Sequence, residues 1–518
     1  MKLKNIILLT GMLLPVSTVF AQYAEDALRF SQTEQGATAR FRGMGSAQIA
    51  LGGDISALNS NPAGIGLFTR SEFSFTPQHS NNSLNAQYFG SSSTSNSGKA
   101  GISQLGAAFY KPMRKYKSDD EKTGWLSTNF AISYNRTNNF NTTLEYTGSN
   151  NVNSFTDYAA DQANEYLIKG DPANTNNKNA LPAGTLGRMA YDNFLIDYNP
   201  GGYFSTTAVN PGSNVQKNQV FNGGSQSEFN FGIATNYSNK LYLGGSVSIA
   251  SINFSSDREF TENGKARTYV GQEPAFINAS YSLDFNSYQE TKGSGYNAKF
   301  GAIYRASPNF RLGASFISPT WYILSDEYTE GLDTRYTPAN GSYIAPYTND
   351  KQTYPNDYNL RTPYRANLGA AAILNKIGLI SADVEFVDYT SMKFTSENEM
   401  DDINMRKTIR DRFNSALNLR LGLEAKVTPS VQLRAGYDMQ GNPYKERDYS
   451  ANAYSAGLGY RVKSLSFDLA FTSLLIESTH GPYTISEDYP DYSFSGSGPT
   501  ATLKNSINSV FATIGFRF

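Results

Sequence analysis

The chain has 518 residues, 39% hydrophobic, 17% charged and 13% aromatic, with 44 Gly and no Cys. The charged fraction lies below the roughly 25% of ordinary globular domains. Asn, Ser, Thr, Gly and an excess of Tyr and Phe make up the difference, which excludes a charged, aromatic-poor disordered chain and a disulfide scaffold. A mean hydropathy of -0.45 excludes a helical membrane protein provided no long apolar run exists.

At the N-terminus Lys2 and Lys4 precede an apolar stretch from Ile6 to Val16, and Val19-Phe20-Ala21 has the small-residue pattern of a cleavage site. Residues 1–21 therefore read as a secretory signal peptide, too short for a membrane anchor. Removing them takes two Lys from 44 basic residues against 45 acidic ones, a formal charge of -3. That near-neutrality gives no electrostatic basis for nucleic-acid binding, and without thiols there is no thiolate nucleophile or soft metal site.

Residues 22–70 precede the first strand. They combine Gly43, Gly45, Gly52, Gly53, Gly64 and Gly66 with Phe41, Met44, Ile49, Leu51, Ile55, Leu58, Ile65 and Leu67, too apolar for a solvated tail. A compact N-terminal plug is expected. Within it, Pro62 restricts Asn61 to extended backbone, and Gly64 is expected to supply a sharp turn after Ala63. Such a bend suits either a movable gate or a rigid turn.

Beyond residue 70 the recurring pattern is alternation of period two. Fourteen strands are expected near 71–90, 101–113, 124–147, 225–238, 241–260, 281–305, 310–327, 358–374, 377–394, 412–427, 430–440, 451–462, 464–478 and 507–518. In the tenth, Leu417, Leu419, Leu421 and Leu423 oppose Asn418, Arg420, Gly422 and Glu424; in the last, Val510, Ala512, Ile514, Phe516 and Phe518 share one face. Every second connection is short, as at Asn239-Lys240, Ser307-Pro308-Asn309, Asn375-Lys376 and Thr428-Pro429, whereas 148–224, 328–357 and 479–506 are long and polar. Short turns alternating with long loops, strands longer than those of soluble sheets, and an aromatic surplus for interfacial girdles all point to one fold class. It is an all-β, 14-stranded antiparallel transmembrane barrel. The longest nearly apolar run after residue 21, Leu368 to Leu374, is far short of a transmembrane helix.

Gly53-Asp54-Ile55-Ser56-Ala57-Leu58-Asn59-Ser60-Asn61-Pro62-Ala63-Gly64 resembles the hatch motif of the FadL/TodX family of outer-membrane hydrocarbon and long-chain fatty acid transporters. Ala39-Arg40-Phe41-Arg42-Gly43-Met44-Gly45, Arg311-Leu312-Gly313-Ala314-Ser315-Phe316, Ala382-Asp383-Val384-Glu385-Phe386 and Leu433-Arg434-Ala435-Gly436-Tyr437 extend the resemblance over most of the chain. It implies a monomer in the outer membrane, inserted by the barrel-assembly machinery and surrounded by outer-membrane lipid. Loops outside would capture a hydrophobic small molecule, a lumenal pocket would hold it, and a shift of the hatch at Asn61, Pro62, Ala63 and Gly64 would release it sideways through a gap at a kinked strand.

Two loop segments have helical spacing. Phe155, Tyr158, Ala159, Gln162 and Tyr166 form one face, and the resemblance makes Phe155, Tyr158 and Tyr166 substrate-binding candidates; a helix of this kind also packs on a barrel rim without binding anything. Ile403 to Phe413 carries Arg406, Lys407, Arg410 and Arg412, a candidate site for a carboxylate head group, with Asp401, Asp402 and Asp411 close by. In the third strand the outward phase Leu126, Phe130, Ile132 and Tyr134 is interrupted by Arg136 and Asn138 before Phe140. Either the strand has left the hydrocarbon there, or this is the kink of a lateral opening.

No catalytic constellation is legible: His79 and His480 are far apart, and there is no Gly-x-Ser-x-Gly and no cluster with metal-ligand spacing. No enzyme activity, metal or cofactor is expected. Bacterial relatives with this N-terminal pattern are sometimes labelled hemin receptors, so haem capture stands as an alternative to hydrocarbon or fatty acid uptake, as does an adhesive or structural barrel.

Overall fold

In hydrocarbon no water is available to the backbone, so a β protein must close its sheet on itself. The computed structural model does so. It describes residues 16–34, 37–113, 123–169, 181–199, 203–209, 214–269, 276–338, 346–374, 377–485 and 498–518, with side chains from Tyr23 onward except those of 165–169, 268–269 and 276–277. Among the described residues, fourteen antiparallel barrel strands follow chain order: β1 (Glu72–Tyr88), β2 (Ser91–Pro112), β3 (Trp125–Asn139, continued as Thr142–Asn150), β4 (Asn214–Tyr237), β5 (Leu241–Tyr269), β6 (Phe276–Ser307) and β7 (Phe310–Ile317 and Trp321–Pro338). Then come β8 (Gln352–Arg361 and Arg365–Leu374), β9 (Gly378–Asp388 and Lys393–Thr395), β10 (Ser415–Lys426), β11 (Val431–Gln440), β12 (Ser450–Val462), β13 (Leu465–His480) and β14 (Ala501–Arg517). Pairing of β1 with β14, from Glu72 opposite Arg517 to Gln87 opposite Thr502, closes the cylinder.

Alternation decides which side chains meet lipid. Leu417, Leu419, Leu421 and Leu423 point out of β10 while Asn418, Arg420 and Glu424 are buried inside. Aromatic pairs flank the apolar belt, with Trp125 and Tyr237 edge-on at 5.0 Å and Tyr296 stacked on Trp321 at 5.5 Å. The hairpin turns are tight: Ser238 and Asn239 both adopt left-handed backbone before β5 begins. Several strands outrun their expected ends at the loop side, where β5 and β6 pair as far as Tyr269 opposite Phe276. Those extensions carry polar residues on the outer face and bury Ala266 and Ala279 on the inner one, under the loop-end helices.

Three helices decorate the loop end: α3 (Phe155–Lys169) and α4 (Leu186–Asp192) in the loop after β3, and α5 (Glu399–Arg412) after β9. The N-terminal segment lies inside the barrel as α1 (Val16–Ser31), the short α2 (Ala39–Arg42) and two 3₁₀ turns, Ile55–Asn59 and Pro62–Leu67. No described helix is long and apolar enough to cross a membrane.

Buried ion pairs tie this segment to the wall. Arg40 Nε donates to Glu424 at 3.1 Å, Arg434 Nε donates to the same carboxylate at 2.8 Å, and Arg434 Nη1 reaches Asp468 at 2.6 Å. Removing one partner of such a group leaves a charge buried without compensation, a loss of about 3–5 kcal/mol. Arg434→Ala is therefore expected to unfold at markedly lower temperature in detergent, read from the band shift of the boiled and unboiled barrel on a gel. Glu72→Ala, whose partner Arg517 is part-exposed at the turn end, is expected to shift it far less.

Candidate functional site

The lumen is divided into a lower part filled by residues 37–68 and an upper part filled by α1. In the lower part, backbone packs on backbone. A side chain at Gly301 would overlap the Asn61 amide oxygen, and one at Gly436 would overlap Gly45. Gly232, Gly244, Gly313 and Gly422 likewise leave room for Leu58, Pro62, Ile49 and Met44. Inward glycines on many strands thus form a belt into which the N-terminal segment sinks. The sequence shows these glycines on the polar faces of strands but not what they face.

The four expected gating residues lie here together. Asn61 is extended, at φ -129° and ψ 95°, and caps the turn Pro62–Leu67 by accepting from Ala63 N at 3.1 Å. Its amide donates to Ile49 O at 2.7 Å and to Ala302 O, on the wall, at 3.2 Å. Gly64 sits in a tight turn, with Gly64 N donating to Asn61 O at 2.9 Å, and its backbone is right-handed; its Cα packs on Gly52 and Ala57, so glycine is required there for close approach. The left-handed residues are Gly52 and Gly53, at φ 63° and 71°, and Gly53 N closes the loop onto Gly64 O at 2.9 Å. Two further anchors that sequence reasoning missed are Asn129, donating to Ile65 O at 2.8 Å and Phe68 O at 3.0 Å, and Asp383, accepting from Gln48 N at 2.6 Å and Ile49 N at 2.9 Å.

Above this, α1 sits in an aromatic chamber. Tyr23 packs on Tyr358 and Phe394 at 5.4 and 5.5 Å, and Phe30 on Phe140 and Phe254 at 5.8 and 5.9 Å. Met405 and Ile409 of α5 and Leu324, Leu360 and Met392 complete the apolar lining. So α5 turns its apolar face onto α1, while its basic residues Arg406, Lys407 and Arg410 stay at the exposed side. Burial pushes the Asp26 carboxyl up, against the opposing pull of Arg29. The wall supplies the acceptors' partners at the helix C-terminus, where backbone carbonyls lack helical donors. Asn138 donates to Gln32 O at 2.8 Å and to Arg29 O at 3.4 Å, Gln226 to Phe30 O at 3.2 Å, and Arg365 to Ser31 O at 2.5 Å.

Asn138 can face inward because β3 carries a bulge between Arg136 and Asn138, opposite Ser227 and Gln226. The same stretch ends the pairing of β2 with β3. The last pair is Gln104 opposite Asn135. From there Ser91 to Ile102 pairs with β1, whereas Thr142–Asn150 pairs with β4, so no ladder joins the loop-side halves of β2 and β3. Arg136 folds its guanidinium against Gly101 on the facing β2 edge. The interruption of outward phase seen in the sequence is thus a bulge and the edge of a seam.

Phe155 and Tyr158 fall on α3 at the loop end, apart from the Asn61 turn low in the lumen. Phe155 is 1% exposed, between Phe260, Phe285 and Tyr483, while Tyr158 stacks on Tyr483 at 5.7 Å and is part-exposed. Tyr166 lies on the same helix, with its side chain outside the described residues. Glu262, fully buried, holds the start of α3 by accepting from Ser154 Oγ at 2.5 Å and Phe155 N at 3.0 Å. Among the described residues no group of His, Cys, Asp or Glu is arranged to hold a metal.

A closed 14-stranded barrel with an apolar exterior and an occupied lumen defines an outer-membrane channel protein. The family model described as outer membrane protein transport protein (OMPP1/FadL/TodX) matches residues 226–498, more than half the chain, and the chain belongs to that family. The N-terminal segment precedes the matched residues. Among solved structures, the P. putida toluene transporter TodX is 13% identical, with 93% of this chain and 99% of that chain covered at a TM-score of 0.50. A Pseudomonas aeruginosa FadL homologue is also 13% identical, with 92% and 98% covered at 0.50, and a TodX monoaromatic hydrocarbon channel deltaS2 mutant is 14% identical, with 93% and 99% covered at 0.52. At these identities the likeness is one of fold. No curated protein matches the chain.

If the belt holds the lower segment in place, a bulky side chain there must expel it. Gly301→Leu is expected to leave the barrel folded but to open a steady ion conductance in planar bilayers that the wild-type protein lacks; Gly245→Ala, where nothing comes nearer than 3.6 Å to the added Cβ, serves as control.

Proposed function

We propose that this protein takes up hydrophobic small molecules such as long-chain fatty acids or hydrocarbons across the outer membrane, passively and without enzymatic chemistry. The observation that carries this reading is the position of the aromatic chamber, next to the one seam and above a floor of ion pairs. Lys299 with Glu228 at 2.6 Å, and Arg365 and Arg420 with Glu385 at 3.0 and 3.1 Å, lie below α1. An apolar solute would lose its favourable surroundings on crossing that layer, whereas the seam between β2 and β3 leads sideways at the level of the chamber. In this reading Arg136 and Asn138 mark the lateral opening. The N-terminal segment, with Asn61, Pro62, Ala63 and Gly64 at its base, is the hatch, and α1 is the part that yields.

The chain is exported with residues 1–21 removed, which leaves α1 as residues 22–31 of the mature protein; it acts as a monomer after insertion by the barrel-assembly machinery and captures its ligand at the loop end. Tyr158 offers the part-exposed aromatic face there, Tyr166 stands as a substrate-binding candidate from its place on the same helix, and Phe155 is the internal anchor that holds α3 in place. Among the described residues, His480 is engaged by Tyr146 at 3.1 Å, an arrangement that does not present it to a haem.

Deleting Thr137, the bulge residue, restores the alternation of β3 across its full length. Cells dependent on this protein are expected to lose at least tenfold in the initial rate of labelled fatty acid or toluene uptake on that deletion, with surface abundance unchanged. Uptake that persists at the wild-type rate would show that the solute leaves by another route.

A further inference from the structure

Beneath the C-terminus of α1 lies a cavity of about 40 Å³, lined by Phe30, Thr137, Gln226, Asn297, Thr362 and Arg365 among others. Three polar atoms on its wall are buried without a partner: the side-chain oxygens of Gln226 and Asn297 and the hydroxyl of Thr137. The three residues are 1%, 3% and 2% exposed. Buried polar atoms are rarely left so. The orientation of both amides is determined by their surroundings. Gln226 spends its NH₂ on Phe30 O at 3.2 Å and Tyr322 Oη at 2.8 Å, and Asn297 donates to Glu228 at 2.9 Å and Thr320 Oγ1 at 3.0 Å. Turning either amide would set oxygen against oxygen, so both present acceptors to the cavity.

The cations around it are already committed. Lys299 has three protons and gives them to Glu228 Oε2, Asn230 Oδ1 and Ser248 Oγ at 2.6, 2.9 and 2.7 Å. Arg365 is held by Glu385 and Ser31 O. Glu34, also on the wall, is paired with Arg42 at 3.2 Å. Among the described residues, a carboxylate anion placed here would meet two amide oxygens and only cations already paired.

We propose that this cavity is the head-group subsite of the transported molecule, and that it selects a neutral hydrogen-bond donor, an alcohol or phenol, over a carboxylate. The hydroxyl proton goes to an amide oxygen of Gln226 or Asn297, Thr137 donates to the hydroxyl oxygen, and the apolar tail lies along Phe30, Phe140 and Phe254. This rests on the uptake reading above and narrows it to amphiphiles with a hydroxyl end. Thr137 also stands at the β3 bulge, so the head group is held beside the seam through which the molecule would leave.

The test is equilibrium binding of 1-dodecanol, dodecane and dodecanoate at pH 8 to the purified full-length protein in nanodiscs. One buried hydrogen bond is worth about a tenfold change in affinity. Dodecanol is expected to bind at least tenfold tighter than dodecane or dodecanoate. Thr137→Val, which keeps shape and leaves the Thr137 O to Glu34 N bond in place, and Gln226→Leu are each expected to erase most of that advantage while dodecane binding stays unchanged. Equal affinity for dodecanol and dodecane would mean that the cavity holds only water, and tighter binding of dodecanoate would mean an anion site; either overturns the proposal while leaving hydrophobic uptake intact. Failure of all three to bind would instead remove the uptake reading on which the proposal stands. Heat-modified mobility of each variant on a gel separates loss of binding from loss of fold.

Discussion

The constraint from which the rest of this molecule follows is that backbone N–H and C=O groups in hydrocarbon must find partners within the protein. Fourteen strands meet it by pairing in sequence order and closing β1 on β14. Against that background, the loss of pairing between β2 and β3 beyond Gln104 and Asn135 is informative. Past the bulge β3 keeps its hold on β4: Phe140 N bonds Gly224 O at 3.1 Å, and Asn141 adds a side-chain bond to the same carbonyl. Gly224, at φ 99°, lets β4 bend to make that possible, since a side chain there would run into Asn253. The seam is thus an interruption between β2 and β3 along which β3 stays tied to β4.

Closure at fourteen strands also creates a lumen too wide for side chains alone to fill. The chain fills it from its own N-terminus, with unlike attachments at the two levels. Low in the barrel, residues 37–68 are seated by glycine contacts, by Asn61, Asn129 and Asp383, and by the charges joining Arg40 to Glu424 and Arg434. Those contacts involve backbone on both sides, and moving one means moving many. Higher up, α1 is held by aromatic packing and by three wall side chains capping its last carbonyls. Side chains can change rotamer and aromatic faces can slide on one another, so the upper half of the filling is the less rigidly seated part.

The loop end is organised by a different device, a small core rather than a pore. Phe155, Phe260, Phe285 and Tyr483 cluster beneath α3 and α4, and Leu186, Met189 and Phe204 extend the cluster under the hairpin Ile196–Asn199 with Tyr203–Thr206. Glu262 fixes the first turn of α3 where the helix presents free N–H groups and its positive end. This explains why the aromatic stripe read from residues 155–166 splits in the structure, one member enclosed and another accessible.

How far the sequence could be read differs between levels for a physical reason. Strand number, strand order, the inward and outward faces and the turn positions follow from local patterning, because period two and turn chemistry are written in consecutive residues. The Asn-Pro-Ala-Gly bend, the helix at 155 and the disturbance at Arg136 and Asn138 were legible for the same reason. Only the tertiary structure decided that Gly64 meets Gly52, that inward glycines of distant strands form one seat, that Arg40 shares Glu424 with Arg434, and that Asn138 caps α1. Gly52 and Gly64 meet where the N-terminal segment folds on itself; the other contacts join residues far apart in the chain, and which of them meet depends on the register accumulated around a closed circle, a quantity no stretch of sequence contains.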